Sequence, residues 1–369
     1  MNHNENWVEI DTENFRSNLR MIREISGRPV MAVIKANAYG HGTLGIAEAA
    51  RSAGAAFFCV ARFKEAMELR QAGFDTPILL FGRMAPEDVI MAATQNVRAT
   101  IFSEEQIPEY AGVLQDSGLR LLVHAKADTG MGRLGTPAAS ALTLLSRIQQ
   151  EKTLRTEGLY THFARSDEPE QETTARQLDQ MEALIGQVTA AGLRPEILHA
   201  ANSAGALFHP RACRFDMVRA GIALYGLSPA PTAPLSEGFR PVLSWKARLI
   251  AIRDFAAGQG ISYGHHYHTQ KDHERIGVLP VGYADGFRRT SGNEVLIKGQ
   301  RVPVVGAACM DQCMVRLDAI PDARPGDEAV LIGRQGEQEI SAEEVASRWG
   351  TINYEVVCGI SHRIDRVYQ

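Results

Sequence analysis

"MAVIKANAYGHG", residues 31–42, sets two tendencies against each other. Met31, Ala32, Val33 and Ile34 form a short apolar run suited to a buried strand, and Lys35 follows at once, before Asn37, Gly40 and Gly42 turn the chain. Two readings fit a lysine at the mouth of such a strand. In one, the strand ends at the surface and the side chain snorkels into water. In the other, an amine held on a rigid element in partly apolar surroundings forms an imine with a carbonyl compound. The surrounding sequence has to choose between them.

Seven further apolar runs follow the first at a steady spacing: "FFCV" (57–60), "ILLF" (78–81), "RATI" (98–101), "LLVHA" (121–125), "GLYTHF" (158–163), "ILHAA" (197–201) and "MVRAG" (217–221). Helical patterns fill the gaps. Asp11 stands as an N-cap, with Phe15, Leu19, Ile22 and Ile25 at helical spacing and Gly27 as the stop. Phe63, Ala66, Met67, Leu69 and Arg70 repeat the pattern before Gly73. Strands alternating with helices build parallel βαβ units, and eight units in roughly 200 residues match a (β/α)8 barrel. A doubly wound open sheet is the competitor, but it rarely has eight parallel strands, and no G-x-G-x-x-G opens a first helix.

The alternation stops at "SPAPTAPLSEGFRP" (228–241), where Pro229, Pro231, Pro234 and Pro241 mark a linker. Beyond it "VLSWKARLIAI", "RIGVLPVGY", "NEVLIKGQRVPVVG", "CMVRLD" and "EAVLIG" read as strands. One helix, "SAEEVASRWG", interrupts them, with Ser341 and Glu344 spaced as a capping box. The expected fold is α/β: a TIM-like barrel over 1–235, then a mostly β domain over 236–369, with residues 1–10 free to pair with the latter.

The gross numbers narrow the function. The chain has 369 residues, enough for about two domains, and carries a net charge of −4 without a basic stripe. A nucleic-acid or anionic-membrane partner is not expected. The five cysteines are odd in number and scattered, which points to thiols in a reducing compartment. Cys309 and Cys313 lack a second pair at metal spacing and read as packing residues, so no metal is expected. "MNHNENWVEIDTENF" lacks the pattern of a signal peptide, and no apolar run suits a membrane span. The expected location is the cytoplasm.

Active sites of such barrels lie at the C-terminal ends of the strands. Those ends carry Lys35 and Tyr39; Lys126, Asp128 and Arg133; His162; Asn202 and Ser203; and Arg219, Gly221 and Ile222. A barrel mouth is polar in any case. Yet a lysine, a histidine, two arginines and a serine together suit a phosphate-bearing aldehyde: Lys35 forms the imine, and Ser203 with the backbone near Gly221 and Ile222 cradles the phosphate.

At these residues the sequence resembles a family. "AVIKANAYGHG", "KADTGMGRLG", "THFA", "NSAG", "RAGIALYG", "SYG", "VGYADG", "CMDQ" and "TINYEV", in order from Val33 to Val356, are similar to segments of the alanine racemases. These are enzymes of pyridoxal 5'-phosphate, built as a barrel plus a β domain. The resemblance implies interconversion of L- and D-alanine, either to supply D-alanine for peptidoglycan or to degrade alanine.

It also implies roles. Lys35 matches the lysine that carries the cofactor and serves as one base at Cα, and Tyr263 matches the base on the opposite face. Racemisation needs both, because a proton leaves one face and returns on the other. His162 and Arg219 match groups expected to surround that tyrosine with positive charge, and Arg219 also faces the pyridine nitrogen. Tyr39, Asn202, Ser203, Gly221, Ile222 and Tyr354 match the cofactor site, with Tyr354 narrowing the pocket towards alanine. Arg133 and the backbone of Met310, beside Asp311, match groups that orient the substrate carboxylate. Lys126 matches a lysine that some members carbamylate; the alternative is an ordinary exposed lysine. Asp167, Tyr283 and Ile352 match the entry channel, where Ala307 departs from the arginine of many members. In the family the tyrosine comes from a second copy, which implies a homodimer with a small-molecule substrate; the sequence by itself leaves an intrachain tyrosine open.

Other activities stay in view, namely a racemase of serine or a broader amino-acid range, and a decarboxylase of the same layout. Three features read as structural: His265, His266, His268 and His273 as a solvated loop, Trp245 and Trp349 as core, and Asp167, Glu168 and Glu170 as the opening of a helix.

Overall fold

The computed structural model describes residues 5–230 and 233–369, so Pro231 of the proline-rich stretch lies outside it. The chain divides into two compact units. One comprises Phe15–Ala38 and Thr43–Phe239; the other comprises residues up to Asn14, Tyr39–Gly42 and Arg240–Gln369.

In the first unit all eight expected strands form, at Val30–Val33, Phe57–Val60, Ile78–Leu80, Val97–Ile101, Leu121–Asp128, Leu154–Tyr160, Ile197–His199 and Val218–Ala220. They pair in parallel and in sequence order, with the eighth beside the first. A parallel bridge between His199 and Met217 and a bond from the Arg219 N–H to the Ala201 carbonyl (2.8 Å) bring the last two strands together. The result is a nearly closed (β/α)8 barrel. Its strands read as unbroken apolar runs because both faces are covered, one by the interior and one by helices; Val30–Val33 and Phe57–Val60 are buried throughout.

The helix Thr12–Ser26 begins as expected, with the Asn14 N–H donating to Asp11 Oδ1 at 2.9 Å, and ends where Gly27 takes φ +63°. Phe15, Leu19 and Ile22 are buried, but Ile25 is 47% exposed. At about 100° per residue it falls about 80° off the stripe, and Ser26 takes the buried place. The acidic run does not open a helix. Asp167, Glu168 and Glu170 lie in turns ahead of Thr173–Ala190, because Pro169 disfavours helical geometry at Glu168.

The second unit is a ten-stranded sheet in the order Ala251–Phe255, Glu274–Leu279, Cys313–Arg316, Gln300–Val305, Glu294–Ile297, Glu328–Gln335, Leu243–Arg248, Asn6–Ile10 and Asp365–Tyr368, with Gln338–Ile340 added at Glu328–Gln335. Every pairing is antiparallel except that of Asn6–Ile10 with Asp365–Tyr368. Two helices accompany it rather than one: Ala342–Trp349 and Asn353–Cys358. Ser341 caps the first by accepting from the Glu344 N–H at 3.1 Å. The box is only half made, because the Glu344 carboxylate pairs with Arg301 and Arg348 instead. Trp245 is buried and Trp349 half-buried, its indole N–H on Asn293 Oδ1 at 2.8 Å. The four loop histidines are exposed, and no metal-binding cluster occurs among the described residues. No helix there is long and apolar enough to cross a membrane.

Candidate active site

Lys35 leaves the first barrel strand into a left-handed turn. Ala36, Asn37, Ala38 and Tyr39 all have φ between 51° and 55°, a geometry that costs L-residues roughly 1–2 kcal/mol each. Such strain persists only where neighbours over-determine it. Here the Ala38 N–H donates to the Ile34 carbonyl at 3.0 Å, and Asn37 Oδ1 accepts from the Thr43 N–H at 3.0 Å. One carboxylate ties this turn to the turn after the second strand: Glu65 accepts from the N–H groups of Ala36 (2.6 Å), Ala61 (2.8 Å) and Arg62 (2.9 Å). The lysine is thus half-buried on a fixed base, not a loose surface residue.

Arg219, on the eighth strand, is 2% exposed. Its Nη1 meets His199 Nδ1 at 2.8 Å, and its Nη2 donates to the carbonyls of Thr161 (2.7 Å) and Ala200 (2.9 Å) and approaches His162 Nδ1 at 3.3 Å. A chain of bonds runs on through the barrel interior. His199 Nε2 is 2.8 Å from His124 Nδ1, and His124 Nε2 is 3.0 Å from Glu157 Oε2. Glu157 is gripped by Arg98 through two bonds, of 2.8 and 3.0 Å. The polarity of this relay is forced. A guanidinium only donates, so His199 Nδ1 accepts and its Nε2 carries the proton; His124 then repeats the pattern towards the carboxylate. Burial, with Arg219 nearby, pushes both imidazoles below their ordinary range and keeps them neutral. Burial raises the Glu157 carboxyl, but the bonds from His124 and Arg98 win and hold it at about 2. A register shift on the sixth strand makes room: His124 pairs with Gly158, so Glu157 is the extra residue of a bulge. A Cβ on Gly158 would come 2.3 Å from His124 Nδ1. Sequence reasoning missed this relay, although polar residues inside buried runs (His124, Glu157, His199, Arg98) were its signal.

The other expected residues of this unit surround the mouth. Lys126 is 5% exposed, with its Nζ 5.6 Å from the centre of the Tyr160 ring, so the exposed-lysine alternative fails. Burial, reinforced by Arg219 and Arg133, pushes its amine down to about 8. Asp128 accepts from the N–H groups of Gly130 (2.9 Å) and Met131 (2.8 Å), folding the loop that carries the exposed Arg133. Burial and the charges of Arg219, Lys126, Arg133 and Lys35 hold His162 well below its ordinary range. Burial and these charges disfavour the protonated imidazole, which runs against the expectation that His162 adds positive charge. Ser203 Oγ accepts from the N–H groups of Gly221 (2.9 Å) and Ala223 (3.3 Å), which joins Ser203, Gly221 and Ile222 in one cradle. Asn202 caps the short helix Ser203–Phe208 through its Oδ1, which accepts from the Gly205 N–H at 2.8 Å and the Ser166 hydroxyl at 2.9 Å. Asp167 is half-buried in the turns before the next helix.

In the β unit the rings of Tyr39 and Tyr354 lie 6.1 Å apart. Gly40, with φ +82°, lets the chain pass: a Cβ there would sit 2.1 Å from the Val357 carbonyl oxygen. Tyr263, Tyr283, Met310 and Ile352 are all exposed, Tyr263 at 68%. The Tyr283 and Met310 loops are laced together, the N–H groups of Tyr283 and Ala284 donating to the carbonyls of Cys309 and Met310 at 3.0 Å. Asp311 accepts from Arg363 at 2.8 Å.

The barrel unit by itself offers an amine at a strand end and an excess of cations suited to an anionic small molecule, and the β unit by itself offers an exposed phenol. The family model described as "Alanine racemase, N-terminal domain" matches residues 10–229, and that described as "Alanine racemase, C-terminal domain" matches residues 242–368. An alanine racemase of Symbiobacterium thermophilum is 45% identical, with 98% of this chain and 96% of that protein covered. An alanine racemase from Bacillus anthracis, solved with bound L-Ala-P, superposes with a TM-score of 0.92 at 38% identity, covering 100% of this chain and 95% of that one. A histidine racemase from Leuconostoc mesenteroides is similar at 28% identity and TM-score 0.92, covering 100% and 99%. The chain belongs to the alanine racemase family, isomerases that invert the configuration of alanine.

Proposed function

We propose that this racemase uses pyridoxal 5'-phosphate, with Lys35 and Tyr263 as its two bases, in a homodimer of the cytoplasm. The observation that carries the reading is the cation-rich barrel mouth: Arg219 and Lys126 are buried there, Arg219 Nη2 lies 3.3 Å from His162 Nδ1, and the charges of Lys35, Lys126, Arg133 and Arg219 all lower the His162 imidazole. Such a field suits a ligand bearing both a phosphate and a carboxylate. Among the described residues the buried Arg219 bonds to neutral acceptors, His199, His162 and the carbonyls of Thr161 and Ala200, which suits its charge to an electron-rich ring nitrogen. Ser203, Gly221, Ile222, Tyr39 and Tyr354 would hold the phosphate, with Asn202 fixing the turn behind Ser203. His162 would lie along the cofactor.

When bound, the cofactor supplies an electron sink that acidifies the Cα–H of an amino acid. The protein does the rest. Arg133 and the Met310 backbone orient the substrate carboxylate. One of Lys35 Nζ and Tyr263 Oη takes the α-proton from its face, and the other returns a proton to the opposite face, so the proton count is unchanged and configuration inverts. Tyr354 narrows the pocket and favours alanine, while Asp167, Tyr283 and Ile352 line the approach. Lys126, buried and with its amine lowered to about 8, is a candidate for carbamylation, which would turn a cation into an anion beside Arg133. The exposed Tyr263, Tyr283 and Met310 support a second copy covering that face. All five cysteines are thiols, which supports a reducing compartment. The reaction would serve either the supply of D-alanine for peptidoglycan or the degradation of alanine.

The test is circular dichroism of L-alanine, L-serine and L-histidine incubated with the purified protein. Decay of the L-alanine signal to zero, with much slower decay of the others, and a near-visible cofactor absorbance lost in Lys35→Ala support the reading. An absorbance that survives in Lys35→Ala contradicts it.

A further inference from the structure

Tyr263 follows a residue whose backbone has no business being anything but glycine. Ser262 has φ +66° and ψ −176°, a region in which side-chain-bearing residues persist only under constraint. The constraint is visible. The Ser262 hydroxyl donates to the Ala307 carbonyl at 2.6 Å and lies 3.5 Å from Cys309 Sγ. The loop it grips is itself fixed: the Cys309 N–H donates to the Gln312 carbonyl at 2.8 Å, and the Cys309 carbonyl accepts from Tyr283 at 3.0 Å. Gly306, at φ +68°, permits the approach, since a Cβ there would lie 2.7 Å from the Ile261 carbonyl oxygen and 3.0 Å from Ser262 Cβ. Behind the turn, Gly260–Ile261 pairs with Tyr267–His268, and Ile261 is packed with Ile276 and Val305. The anchor is rigid up to Ser262, whereas the Tyr263 ring beyond it is 68% exposed. The direction of the phenol is therefore set by the backbone on its N-terminal side and not by packing of the ring.

We infer that Ser262 is a positioning residue for catalysis: its hydroxyl bond to the Ala307 carbonyl holds a left-handed, extended backbone that aims Tyr263 at the substrate. The inference rests on the reading of Tyr263 as one of the two bases. Serine serves here because its short side chain offers a donor that reaches the carbonyl without the second γ-branch that threonine would bring to a crowded positive-φ position.

The experiment compares the holoenzyme with Ser262→Ala, Ser262→Gly and Tyr263→Phe, using alanine and α-deuterated L- and D-alanine. Alanine keeps the strain and loses the hydroxyl; glycine loses the hydroxyl and the strain. Both Ser262 variants are expected to lose roughly 10- to 100-fold in kcat, as a misplaced reacting group does, with KM and cofactor absorbance little changed. The primary isotope effect should rise for the one enantiomer whose α-hydrogen Tyr263 removes and fall for the other. A lesion that merely loosened the fold would move both alike. In the holoenzyme, hydrogen exchange at the His265 amide, which donates to the Ser262 carbonyl at 3.2 Å, should speed up in both variants. Wild-type kcat and isotope effects in Ser262→Gly would overturn the inference, as would isotope effects that stay unchanged for both enantiomers while kcat falls. Wild-type turnover in Tyr263→Phe would instead remove the two-base reading itself, and this inference with it.

Discussion

The two turns that carry Lys35 and Tyr263 share a device and differ in everything around it. Among the described residues, nine non-glycine residues have positive φ, and six of them flank these two side chains: Ala36, Asn37, Ala38 and Tyr39 after the lysine, and Ser262 and His265 around the tyrosine. Strained backbone concentrates where reacting groups must be aimed. The lysine turn is held by the Ala36 N–H on Glu65, whose carboxylate also accepts from Ala61 and Arg62 in the next turn, and by Asn37, on a strand with a fully buried back. The tyrosine turn hangs on one hydroxyl bridge with its ring in the open. Lys35 is thus supported within its own unit, and Tyr263 is presented outward. The first is fixed by several bonds spread over two turns, and the second by the backbone at Ser262 through its hydroxyl bond.

Breaking each side of this comparison should have graded effects. Lys35→Ala should abolish racemisation, by more than about 10⁴-fold, because on the proposed reading it removes both the covalent anchor and a base; polarimetry on alanine measures it. Tyr263→Phe should lower kcat by roughly 10²–10⁴-fold while leaving cofactor absorbance intact, and an equal loss of absorbance would show that the two turns are not independent.

The buried relay behind Arg219 is a matter of stability first. Glu157→Ala should cost about 3–5 kcal/mol in urea unfolding, since it leaves Arg98 without its buried partner. The folded-state carboxyl is depressed from 4.5 to about 2. Its contribution is therefore present above about pH 4.5 and lost as pH falls towards 2, and Glu157→Ala should flatten that acid limb. The smallest effect belongs to Lys126. In bicarbonate-free buffer, Lys126→Met should stabilise on the order of 1 kcal/mol near neutral pH by removing a poorly solvated cation. Because the folded amine is lowered from 10.5 to about 8, the wild type gains stability as pH rises through that window, and the advantage of the variant should vanish by pH 10.5.

The sequence made the barrel legible because parallel strands buried on both faces leave uninterrupted apolar runs, and all eight formed where those runs lie. Strand ends were legible for the same reason, since a lysine or arginine directly after such a run has only the mouth to enter. The left-handed turn was not: "ANAY" contains a single residue, Asn37, at ease with positive φ, and the geometry is imposed by Glu65, thirty residues on. The relay was hidden because His124 and His199 sit inside runs that read as strands, and the bulge that inserts Glu157 beside His124 depends on pairing between strands. Asn353–Cys358 was missed because six residues are too few for a helical period to declare itself.

The most direct test of the account is subunit complementation. Lys35→Ala and Tyr263→Phe, each nearly inactive alone, are unfolded together, refolded as a mixture and assayed for racemisation. If Tyr263 serves the barrel of a second copy, half of the dimers are mixed and each holds one intact site, so activity should recover to roughly a quarter of the wild type. Recovery no greater than the sum of the two separate variants would contradict the account and assign Tyr263 to the barrel of its own chain.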